Sequence, residues 1–371
     1  MKKLIVYIFL LMMGFDVQSQ DPKLSHYWLD KIGANPALVG DGVTVDFNSI
    51  YRTQWTNLKS KFQTKSITGD IYIPSVNGGF GVGINLQDNV EGDGNLRTLK
   101  IEPAISYWKV FGPFAEASVG GSFGIMQKRI ENNFQFSDQI DPVLGFIYPT
   151  GLKLNEQSYT PFKSYARFGG LVRFFLGDYS KGRKYITQLS NYVMLGYSQS
   201  VYNQSYSFLN NEDYELPTTQ SFQAAVNLNM TKYDESQWFI AQPYVIIHRI
   251  HNKYQKNDIF YSTTVGNRFM IKQLQCYAGY RFKNFNQTYK QDAVVVGLSL
   301  AQKVGENRMG QAITMNFYYS SDFTINGINA SETGSSHEIG LIFKLPTPFR
   351  IDPRMNNQGH RRFKAKCATY L

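Results

Sequence analysis

The sequence predicts an all-β fold, a transmembrane antiparallel up-and-down β-barrel of about 14 strands behind a cleaved signal peptide. Three observations carry this. Hydrophobic residues make up 43% of the 371-residue chain, yet mean hydropathy is only -0.32, so apolar and polar side chains are interleaved at short range. Tyr, Phe and Gly are abundant, with 25, 27 and 31 copies, while charged residues make up only 18%. No apolar run after position 15 reaches the roughly 18 residues that a membrane-spanning helix needs. The apolar and β-branched content is also too high for disorder.

Taken from the N-terminus, Lys2 and Lys3 precede an apolar run from Leu4 to Met13, and the small residue Ser19 follows two positions after Val17. This is a secretory signal, residues 1–19, with cleavage after Ser19. The run is too short to span a bilayer, and no Cys follows it to carry a lipid. Residues 20–41 are expected as a periplasmic N-terminal segment or as chain tucked into the lumen, with Asn35-Pro36 setting a turn.

The barrel itself is expected over 42–345. In 78–87, Phe80, Val82, Ile84 and Leu86 alternate with Gly79, Gly81, Gly83 and Asn85, a period of two that no helix produces. In 114–125, Ala115, Ala117, Val119, Phe123 and Ile125 alternate with Glu116, Ser118, Gly120, Ser122 and Gly124. The pattern returns with Val294, Val296, Leu298 and Leu300, with Ile313, Met315, Phe317 and Tyr319, and with Ile339, Leu341, Phe343 and Leu345. Strands are expected near 42–52, 65–74, 78–88, 96–108, 113–127, 164–176, 190–203, 218–230, 236–249, 257–266, 269–282, 289–301, 309–320 and 335–345. The count is even, and longer connections alternate with shorter ones, as bacterial outer-membrane barrels require. One connection on the short side, 177–189, is unexpectedly long. A propeller or solenoid would need a repeat of fixed period, which is missing. A secreted sandwich would bury its apolar faces, whereas closing these strands apolar side outward leaves a lumen of Gly, Ser, Asn and Tyr and no unpaired edge in lipid.

Past 345 the character changes. Residues 346–371 hold Pro346 and Pro348, then Arg350, Arg354, Arg361, Arg362, Lys364 and Lys366 against the single acid Asp352. This basic tail is expected in the periplasm, where a partner protein or anionic headgroups would meet it. The whole chain is basic, at +10, but an exported protein meets lipid or acidic protein surfaces rather than nucleic acid. With only Cys276 and Cys367, no disulfide framework is expected.

The catalytic inventory is thin. His248 and His251 are spaced by three on a strand and point to opposite faces, which argues against a shared metal. Gly-rich 78–83 opens no helix, so small lumen-facing residues explain it better than a phosphate cradle. His-Glu-x-x-His and Gly-x-Ser-x-Gly motifs are missing, and the sequence gives no reason to expect an enzyme, a metal or a cofactor.

Three motifs in order carry a more specific signal. The mature start, Asp21-Pro22-Lys23-Leu24-Ser25-His26-Tyr27 followed by Asn35-Pro36-Ala37 and Gly40, resembles the opening of the PorP/SprF family of type IX secretion system outer-membrane proteins. Tyr51-Arg52-Thr53-Gln54-Trp55 resembles the family's Tyr-Arg-x-Gln-Trp. Phe136-Ser137-Asp138-Gln139-Ile140-Asp141-Pro142 with Gly145-Phe146 is similar to its Asp-Gln-Ile-Asp stretch. The resemblance implies an integral outer-membrane protein that assists export or surface anchoring of large secreted proteins such as adhesins, in gliding-type bacteria. Its implied partners are the cargo or its C-terminal export domain, the translocon or periplasmic ring, a peptidoglycan-associated lipoprotein, and outer-membrane lipids.

Candidate partner-binding residues are Asp21, Pro22, Ser25, Tyr27, Asn35, Pro36, Arg52, Trp55, Asp138, Gln139 and Asp141, with Arg350, Arg354, Arg361, Arg362 and Lys364 for a tail partner. Trp55, at the outer end of the first strand, suits the headgroup belt. Asp138 and Asp141 suit a loop turn better than a Ca²⁺ site, which wants about six to eight oxygens. The competing function is a general or solute-specific porin.

Overall fold

The computed structural model describes residues 24–26, 28–42, 44–58, 61–75, 78–92, 95–111, 114–129, 140–141, 145–146, 162–176, 191–202, 205–206, 214–215, 218–230, 239–251, 259–285, 288–306, 312–325 and 334–346. Among them, fourteen strands close into one antiparallel barrel. They are β1 Thr44–Thr53, β2 Lys61–Ser75, β3 Gly78–Gly92, β4 Leu96–Phe111, β5 Ala115–Arg129, β6 Lys163–Leu176 and β7 Asn191–Tyr202, then β8 Thr218–Asn229, β9 Phe239–His251, β10 Ile259–Ile271, β11 Leu274–Phe285, β12 Thr288–Glu306, β13 Ala312–Thr324 and β14 Ser336–Pro346. Each expected strand is present. No helix among the described residues is long and apolar enough to cross a membrane, so crossing falls to the strands.

Alternation decides which way each strand faces. Phe80, Val82, Ile84 and Leu86 point out of the barrel, and so do Val119 and Phe123 at 63% and 60% exposure, while Glu116 and Ser118 on the same strand are buried inside. Leu298 and Leu300 on β12, and Ile339, Leu341 and Phe343 on β14, continue the outer belt; Ser299 and Glu338 are buried. An apolar exterior over a polar interior is the arrangement that lipid selects and that water would reject.

Closure is made by β1 and β14, paired from Thr44 opposite Pro346 to Thr53 opposite His337. Both ends of the barrel segment therefore share one rim. At that rim the connections 76–77, 112–114 and 272–273 are short, with 177–190 the exception, while 130–162, the longest, and 203–217 lie at the other. Short turns mark the periplasmic side and long loops the cell surface.

One boundary moved. The turn expected at 267–268 lies instead at Lys272–Gln273, with Lys272 in the left-handed region at φ 50°. Gly266 and Asn267 resemble turn residues but stand within β10. A Cβ on Gly266 would come within 2.5 Å of Tyr244 Oη, so this glycine makes room for an inward ring. The tail beyond Pro346, which includes Cys367, and the whole of 177–189 lie outside the described residues; Cys276 is a half-buried free thiol on β11.

Candidate functional site: a plugged lumen

The described chain that precedes β1, residues 24–26 and 28–42, lies inside the barrel. Residues 24–41 run through the lumen and include α1 (Lys31–Ala34) and a 3-10 turn at Pro36–Leu38. The sequence builds these short pieces with local caps. Asp30 accepts a hydrogen bond from Gly33 N at 2.9 Å, and Asn35 Oδ1 accepts one from Ala37 N at 3.0 Å with Pro36 in the first position of the turn. The segment expected as a turn or as lumenal chain is thus a plug.

Ion pairs hold it at both ends. Near the outer rim the Ser25 amide donates to Glu338 at 3.0 Å, and Ser25 Oγ donates to Asp322 at 2.8 Å. Arg52, from the end of β1, binds Ser25 Oγ at 2.5 Å, Glu338 at 2.9 Å and Asp322 at 2.8 Å. Arg281 joins Asp322 at 3.2 Å and Asp292 at 2.5 Å. Near the periplasmic rim Arg173 bridges Glu116 on β5 and Asp41 of the plug, the latter at 2.9 Å, and lies over the Tyr192 ring at 4.7 Å.

Between these ends, Lys31 Nζ reaches Asp46 at 2.7 Å and Asp70 at 2.9 Å. Arg167 donates to the Ile32 carbonyl at 2.9 Å while pairing with Glu102, which also accepts from Tyr165 at 2.8 Å. Charges this deep are tolerable because each meets an opposite charge and further hydrogen bonds.

The plug backbone is met just as closely. The Val39 carbonyl accepts from Ser106 Oγ at 2.7 Å and Trp108 Nε1 at 2.8 Å; the Ala34 carbonyl accepts from Ser198 Oγ at 2.8 Å. Asn35 Nδ2 donates to the Gly170 and Tyr197 carbonyls, both at 3.3 Å. Such approach requires wall glycines. A Cβ at Gly120 would come within 2.5 Å of the Pro36 carbonyl carbon, and one at Gly169 would overlap the Asn35 side chain.

Aromatic packing adds to these contacts. His26 stacks on Trp28 at 4.6 Å, with Tyr277 at 4.9 Å and the edge of Tyr318 at 5.6 Å. Trp28 in turn stacks on Tyr277 at 5.3 Å and lies beneath the Arg268 guanidinium at 5.1 Å. Leu29 packs with Ile50, Tyr277 and Tyr318, and Ala37 and Leu38 pack with Tyr72, Trp108 and Tyr244.

Of the residues proposed from sequence, Ser25, Asn35, Pro36 and Arg52 come together in this lumen and are buried there. Trp55 does not join them. It follows β1 at φ 53°, half-buried, with its ring edge-on to Phe62 at 4.7 Å. Asp141 lies in a two-residue ladder, Ile140–Asp141 with Gly145–Phe146. Asp21, Pro22, Tyr27, Asp138, Gln139, Arg350, Arg354, Arg361, Arg362 and Lys364 lie outside the described residues. Sequence reasoning missed Lys31, Asp46, Asp70, Glu102, Glu116, Arg167 and Arg173. Charged residues on the inward phase of lipid-facing strands were the signal that could have found them. Among the described residues, no group of three or more His, Cys, Asp or Glu is placed to hold a metal ion.

A family model described as type IX secretion system membrane protein PorP/SprF matches residues 16–343, taking in the plug and nearly all of the barrel. The chain belongs to the PorP/SprF family. It is therefore an integral outer-membrane protein and a barrel component of type IX secretion, a transport role rather than that of a known enzyme. This PorP/SprF barrel is also similar to solved outer-membrane structures. CdiB from Acinetobacter baumannii shares 11% identity over 81% of this chain and 60% of its own, with a TM-score of 0.37. A FadL homologue from Pseudomonas aeruginosa shares 10% over 84% and 91%, with a TM-score of 0.41. BamA from Haemophilus ducreyi lacking POTRA domains 1-3 shares 8% over 81% and 70%, with a TM-score of 0.36. The chain spans 60% of the length of CdiB. Comparison with curated proteins gives no match.

Proposed function

We propose that this barrel assists the export or surface anchoring of large secreted proteins, such as adhesins, by protein docking rather than by conducting solutes. The observation that carries the reading is the plug. Residues 24–41 occupy the lumen and bond to strands around the ring, including β1, β2, β4, β6, β7, β13 and β14. A lumen filled by its own chain favours contacts at the rims over passage through the middle.

Family membership supports contact with secretion machinery; the partners we propose are type IX translocon or periplasmic ring components, cargo or its C-terminal domain, and a peptidoglycan-associated lipoprotein for the basic tail. A role in gliding motility is part of the same reading. Arg350, Arg354, Arg361, Arg362 and Lys364 would meet an acidic partner surface on the periplasmic side. Asp138, Gln139 and Asp141, in the longest outer connection, would contact cargo.

Affinity purification of the tagged protein from gently solubilised outer membranes, followed by mass spectrometry, tests this. Recovery of a long exported protein or of secretion subunits is expected. Recovery of the barrel alone, with steady conductance in planar bilayers, would overturn the docking reading in favour of a porin.

A further inference from the structure

Two clusters fix the direction in which the plug threads the barrel. Ser25 is bonded to Arg52, Asp322 and Glu338. Arg52 is one residue from the end of β1 at Thr53, Glu338 two from the start of β14 at Ser336, and Asp322 two from the end of β13 at Thr324. All three lie toward the rim opposite Thr44 and Pro346. Asp41 is bonded instead to Arg173, three residues from the end of β6 at Leu176, and Arg173 pairs with Glu116, one residue into β5. That cluster lies at the rim shared by Thr44 and Pro346.

Contacts in between are the Leu29 carbonyl on Asn48, Lys31 on Asp46 and Asp70, the Ala34 carbonyl on Ser198, and Val39 on Ser106 and Trp108. The plug therefore descends from one rim to the other before the chain turns upward as β1.

With short turns periplasmic and long loops outside, we infer that the chain enters its own lumen from the outer face, with Leu24–His26 at the cell-surface end of the plug. The sequence alone left this segment either periplasmic or tucked into the lumen. The lumen path begins at the outer end, because Ser25 is held there by three hydrogen bonds, to Glu338, Asp322 and Arg52. The consequence deepens the docking reading and rests on it only for the identity of a partner. A surface protein that grips the amino terminus pulls first on the Ser25–Arg52 cluster, and the rest of the plug follows along the barrel axis.

The test uses the full chain with Cys276→Ser and Cys367→Ser as parent, carrying Lys23→Cys. Two reference variants carry Leu58→Cys, exposed in the β1–β2 connection, or Lys272→Cys, exposed in the β10–β11 turn. Intact cells are treated with a bulky, membrane-impermeant maleimide polymer. Heat-modifiable mobility certifies assembly, and Asp21→Cys replaces Lys23→Cys if that variant does not assemble. The inference expects Lys23→Cys to label in intact cells to the extent of Leu58→Cys, with Lys272→Cys labelling only after lysis. Labelling of Lys23→Cys together with Lys272→Cys, or no labelling in either preparation, overturns it. Neither outcome bears on whether a partner co-purifies.

Discussion

Arg52 and Glu338 stand opposite each other where the barrel closes, in direct register on β1 and β14, and their side chains meet inside at 2.9 Å. The same guanidinium binds Asp322 on the next strand and Ser25 of the plug. One side chain thus ties the seam of the ring to the chain that fills it.

Replacing Arg52 with Ala leaves buried Glu338 without its counter-charge and Asp322 with Arg281 alone. Breaking a buried pair in this way costs about 3–5 kcal/mol. The urea midpoint of the folded, heat-modifiable form in detergent should fall accordingly. Arg52→Lys keeps the charge but not the planar fork, and should recover only part of the loss. An unchanged midpoint for Arg52→Ala would contradict the assigned geometry.

Lys31 holds Asp46 and Asp70 on neighbouring strands. Lys31→Met should destabilise the folded barrel, and adding Asp70→Asn should return part of the loss by removing one of the two stranded charges. A double-mutant cycle read by the same urea titration should give a coupling of about 0.5–3 kcal/mol. Strict additivity would mean that the plug lysine does not sit between these carboxylates.

Gly120 faces the plug backbone, and its neighbour Gly121 faces away, with nothing closer than 3.8 Å to an added Cβ. Gly120→Val should therefore dislodge Pro36 and Ala37 while the strands still assemble. Limited trypsin digestion of the folded protein should then cut after Lys31, a bond protected in the parent. Gly121→Ala should digest like the parent, and equal sensitivity of the two variants would count against the close approach.

The barrel ring is complete at Pro346, paired with Thr44. Deleting 350–371 should leave heat-modifiable mobility intact and remove only the tail's partner contacts. Loss of insertion would show instead that the tail belongs to the assembly signal.

The strands were legible because lipid imposes one rule on every outward residue. Phe80, Val82, Ile84 and Leu86 obey it on β3, and Ile339, Leu341 and Phe343 obey it on β14. The turn at Lys272–Gln273 was missed because glycine has two uses, turning the chain and clearing space, and Gly266 serves the second under Tyr244. The plug was harder to read. Its contacts have no period, since Asn35 touches carbonyls on β6 and β7 while Lys31 touches β1 and β2. Yet the wall records it: Gly81, Gly120 and Gly169 are small where the plug passes, and Asp70, Glu102 and Arg167 are charged where it bonds.

That residues 24–41 seal the lumen is tested most directly by planar-bilayer conductance of the purified protein beside a form lacking those residues. The intact barrel should be silent, and the plugless form, once shown to be folded, should conduct. Steady conductance from the intact protein, equal to that of the plugless form, would contradict a sealed lumen and with it the case for docking over solute transport.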